Sequence, residues 1–164
     1  MEQIFVLRTV IEESIEFQQR LSISFIDFTK AFDSIHRETL WKIVRSYGIP
    51  QKFVSIFQNI YQQSSCCLRT DEGITEFFDI ASGVRQECVL SPFLFLLAMD
   101  FVMKRSLAHG DYGVCLRDGT RIADLDFADD IALLGPTQVA LRECTAAMTQ
   151  EAARVGLRVN ACMG

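Results

Sequence analysis

Three carboxylates stand where their surroundings make them costly. Asp27 interrupts the apolar run of Ile23, Phe25, Ile26 and Phe28, and Asp129 and Asp130 sit between two apolar stretches, residues 122–127 and 131–134. Each signal is ordinary alone. A single acid near a strand end is usually an edge or turn residue, and Asp pairs make good turns because their side chains hydrogen-bond nearby backbone. Together they imply more. A hairpin tip with two carboxylates, beside a strand end with a third, gathers like charges that destabilise a fold unless a cation intervenes. Hard divalent ions such as Mg²⁺ take oxygen ligands and leave positions for water and phosphate. Two such ions about 3.5–4 Å apart clamp the attacking and leaving oxygens of a phosphoryl transfer. The chemistry this pattern predicts is nucleotidyl transfer.

The elements that must position these acids follow from periodicity. Residues 9–20 read as a helix, with Val10, Ser14 and Phe17 on one side and Ile11 and Ile15 close by. Residues 21–28 read as a strand buried on both faces. Residues 39–47 carry Leu40, Ile43, Val44 and Tyr47 at helical spacing, with Gly48 as the C-terminal cap and Pro50 preventing continuation. Residues 52–62 are a second helix with Phe53, Ile56, Phe57 and Ile60 on its inner side. Residues 66–70 and 74–80 flank Asp71-Glu72-Gly73 and predict a hairpin. Ser91-Pro92 predicts a helix start, with a hydroxyl at the N-cap and proline at the first helical position. That helix runs to about residue 107. Residues 109–119 read as loop plus edge strand. The stretches 122–127 and 131–134 become strands joined by Ala128-Asp129-Asp130. Thr137 caps a helix whose inner stripe is Leu141, Cys144, Met148, Ala152 and Val155. Gly156 ends it, and residues 157–160 begin another strand. The order predicts an α+β fold of the split β-α-β kind, a sheet backed by helices on one side.

Composition sets bounds on function. The 164 residues suit one domain, and 49% hydrophobic with 23% charged residues can build a core. The net charge of -5 argues against a complete nucleic-acid-binding protein, since phosphate contacts want Lys and Arg. A centre that holds divalent metal is acidic for its own reason. The six cysteines form no C-x-x-C pair and only two histidines accompany them, so no zinc ligand set assembles. Reduced, mostly buried thiols are expected. Residues 1–9 lack the basic start and small-residue cleavage site of a secretory signal. The most apolar run, residues 92–103, is broken by Asp100 and too short to span a membrane.

The motifs have a known counterpart. Phe25-Ile26-Asp27-Phe28-Thr29-Lys30-Ala31-Phe32-Asp33 resembles the F-x-D-x-x-K-A-F-D motif of reverse transcriptases from non-LTR (LINE-like) retrotransposons and group II introns. Residues Gly83-Val84-Arg85-Gln86-Glu87-Cys88-Val89-Leu90-Ser91-Pro92 resemble their G-x-x-Q-G-x-x-L-S-P, and Phe127-Ala128-Asp129-Asp130 matches their [FY]-x-D-D. Leu40-Trp41, Gly48-Ile49-Pro50 and Gly156-Leu157-Arg158-Val159-Asn160 also fall in the family's order. The resemblance covers essentially the whole chain. It implies a polymerase palm, an RRM-like antiparallel sheet backed by helices, with a partial fingers insertion. On it the chain is a single partial reverse transcriptase domain over residues 1–164, with palm at about 20–33 and 83–164 and a fingers-like insertion at about 34–82. The N-terminal fingers and the thumb are expected to be absent.

The resemblance also implies RNA-directed DNA synthesis by two Mg²⁺ ions, with Mn²⁺ as a substitute, acting on an RNA template, a DNA primer and dNTPs. Asp27 and Asp129 would hold both metal ions, Asp130 would support one, and the Phe28 carbonyl would add a ligand. Phe32 would lie under the incoming sugar and exclude a 2′-hydroxyl, against the alternative of a plain core phenylalanine. Gln86 would touch the incoming nucleotide or the templating base, unless it is a simple cap or loop residue. Arg85 would reach a phosphate or remain a solvated loop charge. Lys30 and Asp33 would act structurally, as an ion pair. No membrane partner is expected, the oligomeric state stays open, and the family's need to reach chromosomal DNA places the protein inside the cell, in nucleus or cytoplasm. A group II intron-type enzyme is the runner-up, and a catalytically inactive retrotransposon-derived remnant is the competing class.

Two positions depart from the pattern. Where the family has Gly after the motif glutamine, this chain has Glu87. Three residues past Asn160, where the family places a lysine that donates a proton to pyrophosphate, it has Met163. Glycine allows close backbone approach, whereas a carboxylate adds bulk and negative charge beside a triphosphate. Glu87→Gly is therefore expected to tighten dNTP binding, and an affinity unchanged by the substitution would count against this.

Overall fold

The computed structural model describes residues 2–62, 65–71, 73–80, 82–85, 88–108, 110 and 112–160. Among the described residues, six helices and ten strands follow one another as α1 (Glu2–Glu16), β1 (Ser22–Phe28), α2 (Ala31–Ser34), α3 (Arg37–Ser46), α4 (Gln51–Gln62), β2 (Ser65–Cys66), β3 (Arg69–Thr70), β4 (Gly73–Ile74), β5 (Phe78–Asp79), α5 (Leu90–Leu107), β6 (Val114–Cys115), β7 (Arg121–Ile122), β8 (Asp124–Phe127), β9 (Asp130–Gly135), α6 (Gln138–Arg154) and β10 (Val159–Asn160). The main sheet has the order β10-β1-β9-β8, antiparallel throughout. With α5 between β1 and β8 and α6 between β9 and β10, this is the split β-α-β palm. Short two-stranded ladders, β2 with β5 and β3 with β4, form the predicted hairpin between α4 and α5.

Period-2 alternation divides the sheet's two faces. Ile26 and Phe28 of β1 and Ile131 and Leu133 of β9 pack against Leu94, Phe95, Ala98, Met99 and Val102 of α5 and Leu141, Cys144 and Met148 of α6. Thr137 caps α6 as expected, its hydroxyl accepting the Ala140 N–H at 3.2 Å, a cap worth about 1 kcal/mol. On the other face a smaller cluster joins Val10 of α1 to Leu134, Ile23 and Leu125.

Several expectations need correction. The first helix spans Glu2–Glu16 rather than 9–20, because the chain turns out of it at Gln18, φ 52. Val10 and Ser14 are buried, while Ile15 and Phe17 face outward. The first strand is not buried on both faces: Phe25 is 72% exposed, since in this antiparallel sheet α1 covers only part of the second face. Helix α4 is rotated from its predicted setting. Phe53, Ile56 and Ile60 are exposed, and Val54 and Tyr61 are buried. Both stripes are apolar at helical spacing, so periodicity could not choose between them. Tyr61 chooses, because its hydroxyl pairs with Ser91 Oγ at 2.8 Å and its ring meets Trp41 edge-on. Ser91 is consequently not the N-cap. It lies inside α5, one residue past Leu90, and its N–H donates to the Cys88 carbonyl at 3.1 Å. Of the described cysteines, all free, only Cys144 is buried; Cys66 and Cys67 lie in or beside the short, solvated β2 ladder.

Glycines set how closely the motifs approach α2. A Cβ on Gly83 would lie 2.6 Å from the Asp33 Cα, and one on Gly156 would lie 2.5 Å from the Ser34 carbonyl oxygen. Both glycines have positive φ, 78° and 93°. Four main-chain hydrogen bonds lock the contact: Gly83 N–H to Ile35 O (2.8 Å), Val84 N–H to Phe32 O (2.7 Å), His36 N–H to Val155 O (2.8 Å) and Thr29 N–H to Arg158 O (2.9 Å). Gly48 has a similar φ of 79° with nothing within 4 Å, so it is an internal control. Gly83→Ala and Gly156→Ala each combine left-handed strain with overpacking and should cost roughly 2–4 kcal/mol; Gly48→Ala should cost about 1 kcal/mol. Thermal melts of the three variants check this, and three equal shifts would contradict the close-approach account.

Candidate active site

The strand register brings the three acids to one end of the sheet. Asp27, near the end of β1, is exposed on the same face as Phe25. It lies one step past the last β1–β9 pair, Ile26↔Ile131, which sets it beside Asp130. Asp130 opens β9 opposite Phe127, the last residue of β8. Between them Ala128, at φ 57, and the half-buried Asp129 make a two-residue turn; positive φ at the first turn position matches hairpin twist. Across the other edge of β1, Asn160 donates from Nδ2 to Asp27 Oδ2 at 3.1 Å. The last motif thus aims one oxygen of the first. Among the described residues, no three His, Cys, Asp or Glu side chains are gathered closely enough to hold a metal ion. The backbone therefore brings the acids together, while their side chains are not converged. Beside them Phe25, Phe127, Leu125, Ile4 and Leu7 line an apolar hollow of about 360 Å³ that Asp130 borders.

The other expected site residues lie around α2. Phe28 buries its ring in the core, so what it can offer a ligand is its main chain. Lys30 precedes α2 at φ 49, and its carbonyl takes the Asp33 and Ser34 N–H groups. Phe32 is half-buried, its ring stacked on Phe95 with centroids 4.3 Å apart and planes 13° from parallel. Arg85 is exposed. Gln86, Glu87 and Met163 lie outside the described residues.

Arg37, which motif reasoning missed, ties this region together. Its Nε donates to Gly83 O (2.9 Å), and its Nη1 donates to Tyr61 O (3.0 Å) and Ile80 O (2.7 Å). The guanidinium also lies 5.3 Å from the Tyr61 ring centroid. Burial, helped by the like charge of Arg85, lowers its pKa. No sequence signal marks it, since its partners are carbonyls and every residue has one.

A second set of acids sits behind the turn. Asp124 and Asp126 alternate with Leu125 and Phe127, so they point to the helix side. Burial first, then the Asp124 charge and hydrogen bond and the Asp100 charge, pushes the Asp126 carboxyl up to about 7. Burial also raises Asp124, which its bond to Asp126 opposes. Asp126 Oδ1 is buried with no hydrogen-bond partner. Asp100 goes the other way: burial opposes its ionisation, but Lys104 Nζ at 2.6 Å and the Tyr47 hydroxyl outweigh that and hold its pKa low. Burial, then the Asp100 bond, raises the Tyr47 phenol to about 12.

The sign for Asp126 follows from linkage. A carboxyl whose folded pKa is raised favours the fold below its ordinary value of 3.8, and that contribution is lost as pH climbs towards about 7. Asp126→Asn keeps the shape without the ionisation. The melting temperature of wild type relative to this variant should fall between pH 4 and pH 7. Parallel curves over that range would contradict the raised pKa of Asp126.

Comparison with known proteins agrees with this geometry. The sequence model of the reverse transcriptase (RNA-dependent DNA polymerase) family matches residues 4–162. A retrovirus-related Pol polyprotein from the type-2 retrotransposable element R2DM of Drosophila melanogaster is 33% identical over 140 residues, 85% of this chain and 13% of that protein. Its counterpart from the type-1 element R2 of Nasonia vitripennis is 30% identical over 137 residues, 84% of this chain and 13% of that protein. The chain thus spans about an eighth of these relatives. Among solved structures, the telomerases of Candida albicans (TM-score 0.75, 10% identity, 98% of this chain and 29% of that one) and Candida tropicalis (TM-score 0.71, 14% identity, 96% and 28%) share the fold. With nearly its whole length matched and the palm topology in place, the chain belongs to the reverse transcriptase family of RNA-dependent DNA polymerases.

Proposed function

We propose that this chain is the catalytic palm of an RNA-directed DNA polymerase from a non-LTR retrotransposon, working by two-metal-ion nucleotidyl transfer. On this reading residues 20–33 and 83–164 form the palm and residues 34–82 a fingers-like insertion. The observation that carries it is the register that sets Asp27 beside Asp130, with Asp129 in the adjoining turn. Hard carboxylate oxygens suit Mg²⁺ or Mn²⁺, and Asp27, Asp129 and Asp130 would hold the ions with the Phe28 carbonyl. Bound there, divalent metal supplies a lowered pKa at the primer hydroxyl and charge neutralisation at the leaving pyrophosphate.

The chain's own residues do the positioning. Asn160 orients Asp27. The Phe32 ring lies under the deoxyribose and excludes a 2′-hydroxyl. Gln86 and Arg85, which follow the Gly83–Val84 segment held by Arg37 and α2, contact the incoming nucleotide. The RNA template and DNA primer lie along the open sheet face, where Phe25 and Phe127 offer aromatic surface.

Primer extension on an RNA template with Mg²⁺ tests the reading, comparing this chain with Asp129→Ala. Extension that falls at least a hundredfold in the variant is the expected result, because a metal-holding carboxylate acts where charge develops. A folded protein that extends no primer would overturn polymerisation by this chain.

A further inference from the structure

We infer that Phe95, on α5, is the positioning residue of the sugar gate and sets the chain's preference for deoxyribonucleotides from behind Phe32. The inference rests on the proposed role of Phe32 and extends it to a residue that touches no substrate. Phe32 belongs to α2, a helix of four residues. So short a helix has no stiffness of its own, and the pose of its ring must come from neighbours. One is the main-chain bond from Val84 N–H to Phe32 O, at 2.7 Å. It fixes the backbone and leaves the side-chain torsions free.

The other neighbour is Phe95. It is 1% exposed, in the core with Leu94 and Ala98, on an 18-residue helix. Its ring covers one face of Phe32 almost in parallel, at a 4.3 Å centroid distance. An offset stack of this kind restrains both the tilt of the outer ring and its distance from the helix. The part of Phe32 left uncovered is what a sugar would meet. A gate that rejects one hydroxyl needs its ring placed to within a fraction of an ångström, and the rigid side chain that can supply this here is Phe95. Replacing it with a flexible aliphatic group keeps the core filled and lets the gate rock.

The test measures Kd for dATP and for ATP, each with Mg²⁺, on the chain bound to an RNA template whose DNA primer ends in a dideoxynucleotide, so that no chemistry is needed. Wild type, Phe32→Ala, Phe95→Leu and the double variant are compared, with Phe95→Met as the second ring-free variant should Phe95→Leu not fold. Phe95→Tyr restores the ring. The expected result is a preference for dATP that falls about tenfold or more in Phe95→Leu, with a much smaller change in dATP affinity alone. Phe95→Tyr should recover the preference, and Phe95→Leu should add nothing once Phe32 is alanine. If Phe32→Ala abolishes the preference while the ring-free Phe95 variants weaken both nucleotides equally and keep the ratio, Phe95 is only a core residue and the inference falls. If Phe32→Ala itself leaves the ratio unchanged, or neither nucleotide binds, the gate reading fails and takes the inference with it.

Discussion

The close approach of three chain segments around the four residues of α2 governs the candidate site. Gly83 arrives from one side and Gly156 from the other, each so near the α2 main chain that a single methyl group would collide with backbone. Backbone does not yield as a flexible side chain does, and for that reason these positions need glycine rather than merely tolerate it. The hydrogen bonds on the two flanks then join the first motif to the second through Phe32 and Ile35, and to the last through Thr29 and His36. The candidate site residues come from distant parts of the sequence. Their relative placement is decided where no chemistry happens.

Arg37 completes that junction in an unusual way. A guanidinium partly withdrawn from water usually finds a carboxylate, but this one is satisfied by the carbonyls of Tyr61, Ile80 and Gly83 and by the Tyr61 ring. Carbonyl acceptors on three segments make the cation a staple, and its charge-assisted bonds are stronger than neutral ones. The buried Tyr61–Ser91 pair carries the same junction on to the start of α5. The two ends of the segment between the first two motifs are therefore tied to each other through Arg37, and Tyr61 ties that junction to the helix that carries Phe95.

Much of this was legible in the sequence, and the parts that were not share a cause. Element order, the Thr137 cap, the inner stripe of α6 and the position of the hairpin turn depend on local chemistry and on spacing; the turn is one residue shorter than expected, because Asp130 pairs with Phe127 and opens β9. Helix α4 misled because Phe53, Ile56 and Ile60 mimic an inner face as well as Val54, Phe57 and Tyr61 do. Ser91 misled because its local cue, a hydroxyl before proline, was outweighed by a buried phenol 30 residues away that needed a partner. Arg37 and Phe95 were invisible: each acts through a contact between segments, and neither has a residue type or spacing that announces it. The two glycines were visible only as motif letters, and their reason is a distance.

The acids show how much the alternation of a strand decides. Asp124, Asp126 and Asp130 lie within seven residues of one another on a single hairpin, and composition alone treats them alike. Asp130 and, on the next strand, Asp27 fall on the open face, where solvent and a cation can reach them. Asp124 and Asp126 fall on the helix side, where burial, and for Asp126 also the neighbouring Asp124 charge, raises their pKa values. A one-residue slip of β8 against β9 would turn Asp124 and Asp126 to the open face and Phe127 to the helix side, while Asp27 and Asp130 kept their places on β1 and β9. The residues that keep the register, the apolar Ile131 and Leu133 pressed on α5 and α6, thereby determine which carboxylates lie on the open face and which lie behind it, with raised pKa values.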